Sequence, residues 1–271
     1  MELVNGVEGA ALSARDRGLA YGDGVFRTFP LRGGQPLQWS RHYARLASDC
    51  SALGIPCPSR ADLVADLTRI GAREPDCAVK IIVTRGSGGR GYAPPAAASP
   101  TRIVLSQPLP ARPPEWRTEG VRVRVCTTRA GHQPRLAGIK HLNRLENVLA
   151  RAEWTDPGIA EGLMLDAAGN VIEGTMSNVF IVERGGLVTP ALDAAGVAGV
   201  QRERVLEEAA GRGVPATVAA IPLARLLAAD EIFLVNSLLP LWPVSAVDER
   251  IFHRGPVTAQ VRGWLDDGDA A

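Results

Sequence analysis

Ala137-Gly-Ile-Lys140-His-Leu-Asn143-Arg-Leu-Glu-Asn-Val-Leu-Ala150 is the stretch on which the reading of this chain turns. Its lysine is one of only two, Lys80 and Lys140, among 30 lysines and arginines. Arginine stands at nearly every other basic position, so a retained lysine raises a chemical question. Arginine keeps its charge at any usable pH, whereas a lysine in an apolar site can lose its proton and attack a carbonyl to form an imine. Beyond Lys140, Leu142, Leu145, Leu149 and Ala152 recur at helical spacing. That spacing predicts a helix of about four turns with one buried face, starting just after the lysine.

With 271 residues the chain is long enough for two lobes, each with its own core. Apolar residues make up 46% and charged residues 22%, with a net charge of +1, which argues against a nucleic-acid partner and against an acidic disordered tail. Cys50, Cys57, Cys77 and Cys126 form no Cys-x-x-Cys pair, and His42, His132, His141 and His253 are not spaced as ligands. Free thiols and no metal are therefore expected. Met1 to Gly6 lacks a basic region followed by an apolar core, and no apolar run reaches spanning length. A soluble, cytoplasmic protein without a membrane partner is the expectation.

Taken in order, Leu3 to Val7 and Val25 to Leu31 read as strands joined by a Gly-rich connection around Gly22-Asp23-Gly24. Ser40 is a candidate cap for a helix carrying Tyr43, Leu46, Cys50 and Leu53, and Ser59 with Asp62 signals a second helix through Leu63, Leu67 and Ile70. Cys77 to Arg85 is a near-continuous apolar strand in which Lys80 is expected to keep its ammonium in water. A glycine loop, Arg85-Gly-Ser-Gly-Gly-Arg90-Gly-Tyr92, leads to a strand at Thr101 to Gln107.

Four prolines between Pro108 and Pro114 mark the domain boundary: an N-terminal lobe over residues 1–107, a linker over 108–115 and a C-terminal lobe over 116–271 that carries Lys140. Gly120 to Thr127 alternates valine inward with arginine outward. Strands follow at Gly162 to Asp166, Val171 to Thr175, Asn178 to Glu183, Val214 to Ala219, Glu231 to Asn236 and Val244 to Asp248, with helices from Gly199 and from Pro256 to Leu265. The fold class is α/β of the α+β type, two-lobed, with the larger second lobe richer in strands.

A lysine that forms an imine with an aldehyde cofactor requires three partners. They are a carboxylate for a pyridine nitrogen, a cation for a phosphate, and a helix N-terminus whose amides accept anionic charge. Glu173 lies in the otherwise apolar, hydroxyl-rich Val-Ile-Glu-Gly-Thr-Met-Ser-Asn, where an unpaired carboxylate is costly; the alternative is a surface strand residue. Arg45 is the candidate cation, with a surface salt bridge as its alternative. Gly199-Val200-Gln201 is the candidate helix start.

Together these residues resemble the fold type IV class of pyridoxal-phosphate enzymes, which includes branched-chain and D-amino-acid aminotransferases, and the resemblance covers nearly the whole chain. His42-Tyr-Ala-Arg45-Leu46 is similar to the class's phosphate-arginine motif, and Lys140 stands at its imine-forming lysine. Glu173-Gly-Thr-Met-Ser177-Asn178 resembles its pyridine-nitrogen glutamate motif. Gly196-Val-Ala-Gly-Val200-Gln201-Arg202 resembles its phosphate-binding helix start, and Asn236-Ser237-Leu238 its late phosphate loop.

Within the class, three stretches are similar to the aminodeoxychorismate lyase family: Arg85 to Tyr92, Leu136 to Glu146 including Asn143, and Phe26-Arg-Thr28 after Gly22-Asp-Gly24. Branched-chain enzymes carry a tyrosine five residues after the lysine, where this chain has Leu145.

The resemblance implies pyridoxal 5'-phosphate as cofactor, held by Arg45, Lys140, Glu173, Ser177, Asn178, Val200, Gln201 and Ser237. It implies conversion of 4-amino-4-deoxychorismate to 4-aminobenzoate and pyruvate for folate synthesis, with Lys140, Glu173 and Thr28 as catalytic residues. Arg90, Tyr92 and Asn143 are the implied substrate contacts, with bonding inside the loop as the alternative for Arg90 and Tyr92. A homodimer is implied as well. The rival readings are a D-amino-acid or related aminotransferase, and a non-catalytic small-ligand-binding protein on the same fold.

Overall fold

The structure is a computed structural model that describes residues 1–239 and 241–270, with the side chains of the last helix described through Asp266. It divides into two compact units, Met1–Pro110 with Ile139–Asn143, and Ala111–Gly138 with Arg144–Ala271. Lys140, expected in the second lobe, thus belongs with the first. The expected linker straddles the change of unit at Pro110, and its last residue already opens a short helix.

The first unit contains β1 (Glu2–Val4), β2 (Val7–Glu8), α1 (Arg17–Tyr21), β3 (Gly24–Arg32), β4 (Gln35–Pro36), α2 (Trp39–Ala52), α3 (Arg60–Gly71), β5 (Cys77–Thr84) and β6 (Thr101–Gln107). Its strands form an antiparallel sheet in the order β2-β1-β6-β5-β3-β4. Successive strand residues face opposite sides, and this decides what the sheet buries. Phe29, Leu31, Val79, Ile81, Val83 and Val104 pack with Leu46 and Cys50 of α2 and with Leu63, Leu67 and Ile70 of α3. Each such side chain contributes about 1.5–3 kcal/mol. The opposite face holds Phe26, Thr28, Lys80, Ile82, Ile103 and Leu105, all half-buried.

Ser59 caps α3 as expected, its Oγ accepting the Asp62 N–H at 3.1 Å. Ser40 does not cap α2. That helix starts two residues earlier, capped from Gln38, whose carbonyl accepts the Arg41 and His42 amides, while Ser40 Oγ accepts from Arg60 at 3.0 Å.

The second unit contains α4 (Glu115–Thr118), β7 (Val121–Arg129), α5 (Leu145–Arg151), β8 (Ile159–Leu165), β9 (Val171–Gly174), β10 (Asn178–Glu183), β11 (Gly186–Pro190), α6 (Val200–Gly211), β12 (Ala216–Ala219), α7 (Leu223–Leu227), β13 (Glu231–Val235), β14 (Trp242–Val247), β15 (Arg250–Ile251) and α8 (Pro256–Ala270). The sheet runs β12-β11-β10-β13-β14-β7-β8-β9, with β15 on β14. It is mixed, with parallel pairs at β11–β12, β14–β7 and β7–β8.

Both faces of its centre are covered, which is why β10 and β13 read as unbroken apolar runs. Val179, Ile181, Ile232 and Leu234 face one core. Phe180, Val182, Phe233 and Val235 face another, with Val205 and Ala209 of α6 and Val261 and Leu265 of α8. The strand-rich α/β class read from the sequence is the one observed.

The helix after Lys140 is shorter than its spacing predicts. Residues 140–142 are hydrogen-bonded along β3 instead, so α5 begins only at Leu145 and runs for seven residues. Its expected buried stripe is also not buried: Leu145 and Leu149 are 69% and 55% exposed, Ala152 is exposed and Leu142 half-buried, and Ala150 faces inward instead.

Candidate active site

In the first unit β4 pairs only with Leu31 and Arg32, so the start of β3 remains available as an edge. Residues 139–143 lie along it. The Phe26 N–H donates to the Lys140 carbonyl at 2.9 Å, the Leu142 N–H donates to the Gly24 carbonyl at 3.0 Å, and Val25 and His141 form an antiparallel bridge. Lys140 therefore stands across from Phe26 on the half-buried face, with its Nζ 4.7 Å from the centre of the Phe26 ring. Lys80 Nζ lies 4.7 Å from the same ring, and burial pushes its pKa down. Lys80 points away from the core, as expected, but is half-buried: β5 places it on the face that Phe26 and Thr28 share.

Thr28 is directly across from Lys80 in the β3–β5 register. Asn143 is exposed, and its Nδ2 donates to the Gly22 carbonyl at 3.3 Å. Gly22 has φ 66, and a Cβ there would lie 2.4 Å from Asn143 Oδ1, so the position requires glycine on both counts. Arg45 is half-buried on α2, and its carbonyl accepts from Arg27 Nη2 at 3.5 Å. Arg27 is also paired with Asp49, and Asp49 Oδ2 accepts the backbone N–H of Lys140 at 3.1 Å.

The glycine loop is tied down from beneath. Arg17 donates to the carbonyls of Gly91, Tyr92 and Ala93 at 3.2, 2.9 and 3.3 Å, and to Asp23 at 2.8 Å. Burial pushes the Asp23 carboxyl up, but Arg85 and Arg17 beside it outweigh this and hold it below the usual range. Asp16 accepts from the hydroxyls of Thr84 and Thr101 at 2.9 and 2.7 Å, fixing both ends of the loop. Arg90 and Tyr92 are exposed on it, and the Tyr92 ring lies 5.5 Å from that of Tyr21.

In the second unit Glu173 is buried on β9. Its Oε2 accepts the Val197 N–H at 2.8 Å, and Arg144 Nη1 lies 4.0 Å from its Oε1. Asn178 fastens the same segment, with its Nδ2 donating to the Val197 carbonyl at 2.8 Å and its Oδ1 accepting the Gly199 N–H at 3.2 Å. A Cβ on Gly199 would lie 2.3 Å from Asn178 Oδ1, so contact rather than backbone strain requires glycine before α6. Val200 and Gln201 open the helix, both buried, and the Gln201 side chain accepts from Arg204 at 2.9 Å. The Ser177 hydroxyl donates to Glu161 Oε2 at 2.8 Å. Ser237 is half-buried between β13 and β14, beside Asn236, whose Oδ1 accepts the Leu238 and Leu239 amides.

These residues fit a phosphorylated pyridine. A buried carboxylate steadied by a backbone amide suits a protonated ring nitrogen, and a helix start left bare by glycine suits a phosphate. No role was read from the sequence for Arg27, Asp49, Arg144 or Glu161, although Arg27 lies within Phe26-Arg-Thr28 and Arg144 within the opening stretch, four residues after Lys140.

Residues 24–247 match the model of the class IV aminotransferase family, and the chain belongs to that family. Among its relatives, an aminodeoxychorismate lyase of Vibrio harveyi is 38% identical over 267 residues, covering 97% of this chain and 98% of the relative. A solved 4-amino-4-deoxychorismate lyase from Pseudomonas aeruginosa is 50% identical, with a TM-score of 0.94 and 98% of each chain covered. A hypothetical aminotransferase from Mycobacterium tuberculosis, solved in a PLP-bound form, shares the fold at 23% identity, with a TM-score of 0.84 over 99% of this chain and 98% of that one.

Proposed function

We propose that this chain is a pyridoxal-phosphate-dependent lyase that converts 4-amino-4-deoxychorismate to 4-aminobenzoate and pyruvate, a step that supplies folate synthesis. The observation that carries the reading is the 50% identity, over 98% of both chains, with the solved lyase from Pseudomonas aeruginosa. The cofactor is held by Lys140 and Glu173, with its phosphate received by Arg45, the α6 start at Val200 and Gln201, and Ser237. Asn178 and Ser177 serve this cup from behind, since their side chains are engaged with Val197, Gly199 and Glu161.

Bound pyridoxal phosphate supplies an electron sink for the charge left at the amine-bearing carbon when its proton departs. Lys140 Nζ removes that proton as general base, and Glu173 keeps a proton on the ring nitrogen. Thr28, on the face that carries Lys140, is the candidate donor toward the departing enolpyruvyl oxygen. Loss of that side chain makes the ring aromatic, so the protein has chiefly to orient substrate and hold protons. Arg90, Tyr92 and Asn143 are its candidate substrate contacts, with Arg90 suited to a substrate carboxylate.

The test is to incubate the protein with aminodeoxychorismate and follow 4-aminobenzoate and pyruvate together. The two products are expected in equal amounts, and Lys140→Ala is expected to abolish both. Amino-group transfer from a D-amino acid to a 2-oxo acid, without pyruvate release from aminodeoxychorismate, would overturn the reading in favour of an aminotransferase.

The enzyme is further proposed to be a cytoplasmic homodimer. Four free cysteines suit a reducing compartment, which fractionation of the source cells would check. The exposed face of Leu145, Val148 and Leu149 suits a second copy. Light scattering is expected to give twice the chain mass, and Leu145→Glu with Val148→Glu to halve it; an unchanged mass in the double variant would exclude α5 from the interface.

A further inference from the structure

We propose that Asp49 is a positioning residue for Lys140, its buried carboxylate holding the backbone of the imine-forming lysine while Arg27 neutralises it. The proposal rests on the role given to Lys140 above. Two residues paired across antiparallel strands ordinarily exchange two backbone bonds. At Phe26 and Lys140 the Phe26 amide makes one of them, to the Lys140 carbonyl, while the Lys140 amide donates at 3.1 Å to Asp49 Oδ2. The bridge there is isolated rather than part of a ladder. A side chain of α2 thus takes up an amide at the point where the lysine leaves the strand edge.

The acceptor is charged and enclosed. The Asp49 and Arg27 side chains are 5% and 3% exposed, and Arg27 Nη2 contacts the same Oδ2 that receives the Lys140 amide. A carboxylate at such depth is costly unless paired, and Arg27, reaching through from the core side of β3, supplies the pairing charge. The same helix carries Arg45 one turn earlier, with its carbonyl also bonded to Arg27. One rigid element therefore sets Arg45 and the lysine backbone in a common frame, as precise catalytic geometry requires. Arg27 lies within the quoted Phe26-Arg-Thr28, but its link to Asp49 is not legible there, because it spans 22 residues, and that from Asp49 to Lys140 spans 91.

Removing one charge alone would strand the other and could unfold the chain. Two double variants avoid this: Arg27→Met with Asp49→Asn, and Arg27→Met with Asp49→Leu. Both are uncharged and similar in volume, and only the first keeps an oxygen that can accept the Lys140 amide. Three quantities are compared in the full-length chain: hydrogen exchange of the residue 140 amide, dissociation of pyridoxal 5'-phosphate followed by absorbance, and the melting temperature of the cofactor-free form.

The Asn variant is expected to match the parent within about threefold in cofactor dissociation and to keep its amide protection. The Leu variant is expected to lose about tenfold in both, with the two variants melting together; tenfold corresponds to one hydrogen bond to the amide. Equal protection and equal dissociation in the two variants overturns the proposal. So does a difference that follows melting temperature. A parent protein that borohydride does not link to pyridoxal phosphate at Lys140 overturns the functional reading, and the proposal with it. The exchange measurement needs no cofactor, so it separates that failure from a failure of the Asp49 contact.

Discussion

Five donors converge on the fully enclosed carboxylate of Glu161: the amides of Gly162, Thr175 and Met176 at 2.9, 3.0 and 3.1 Å, and the hydroxyls of Thr175 and Ser177. Burial pushes its pKa up, and the donors pull against that without cancelling it. Three of the five are backbone amides, which can only donate, and two of those belong to the segment directly after Glu173. Glu161 is therefore the post on which the loop between β9 and β10 is wound. Glu161→Gln would turn an amide NH2 toward donors it cannot accept. It is expected to cost about 2–4 kcal/mol in urea unfolding, against about 1 kcal/mol for Ser177→Ala, which removes one bond. A Gln variant as stable as the parent would show that the loop holds itself. Lys140 and Glu173 were legible because their chemistry requires particular residue types in unusual surroundings. Glu161 and Asp49 were not, since what singles each out is a set of partners 14 to 16 and 91 residues away.

At the scale of elements, legibility followed how regular the local pattern was. β3, β5 and β6 alternate cleanly, and their register puts one face in the core and the other beside Phe26 and Lys80. β7 begins with the expected alternation, Val121 and Val123 inward. Val125 packs on the same core and Cys126 on another, but after Val125 the register against β8 shifts, with Arg129 rather than Thr127 opposite Leu165, and such an irregularity leaves no mark in sequence. α5 fails for a different reason. Leu142 fits the helical spacing, but its backbone is taken by the edge of β3, and tertiary pairing overrides propensity. The remaining apolar residues Leu145 and Leu149 face outward; periodicity shows that residues share a face but not which side of the helix is covered. The motifs were legible as types. The hydrogen bonds that fasten Asn178 to Val197 and Gly199 required coordinates, because they join β10 to the segment before α6 across an intervening hairpin.

For the whole molecule, five perturbed carboxylates point in one direction, opposite to that of Glu161. Asp23 and Glu74 in the first unit, and Glu153, Asp166 and Glu183 in the second, all lie below their ordinary range. Glu153 is the most displaced. Burial pushes its carboxyl up, but the Thr127 and Thr128 amides, donating at 2.8 and 2.7 Å, more than offset this and bring it to about 2. An acid whose pKa is depressed on folding binds its proton more tightly when unfolded, so stability rises with pH between the two values. The contribution from Glu153 is fully present above about 4.5 and is lost as pH falls toward about 2. These five carboxylates are thus expected to make stability, measured by urea unfolding, decline steadily as pH falls below about 5. Glu153→Gln keeps one oxygen for the two amides and gives up the charge, at an expected cost of about 1 kcal/mol at pH 7. Because the parent also loses that charge in acid, the two curves are expected to converge near pH 2. A gap that stays constant down to pH 2 would mean that Glu153 acts by shape alone, and the acid limb would then belong to the other four carboxylates.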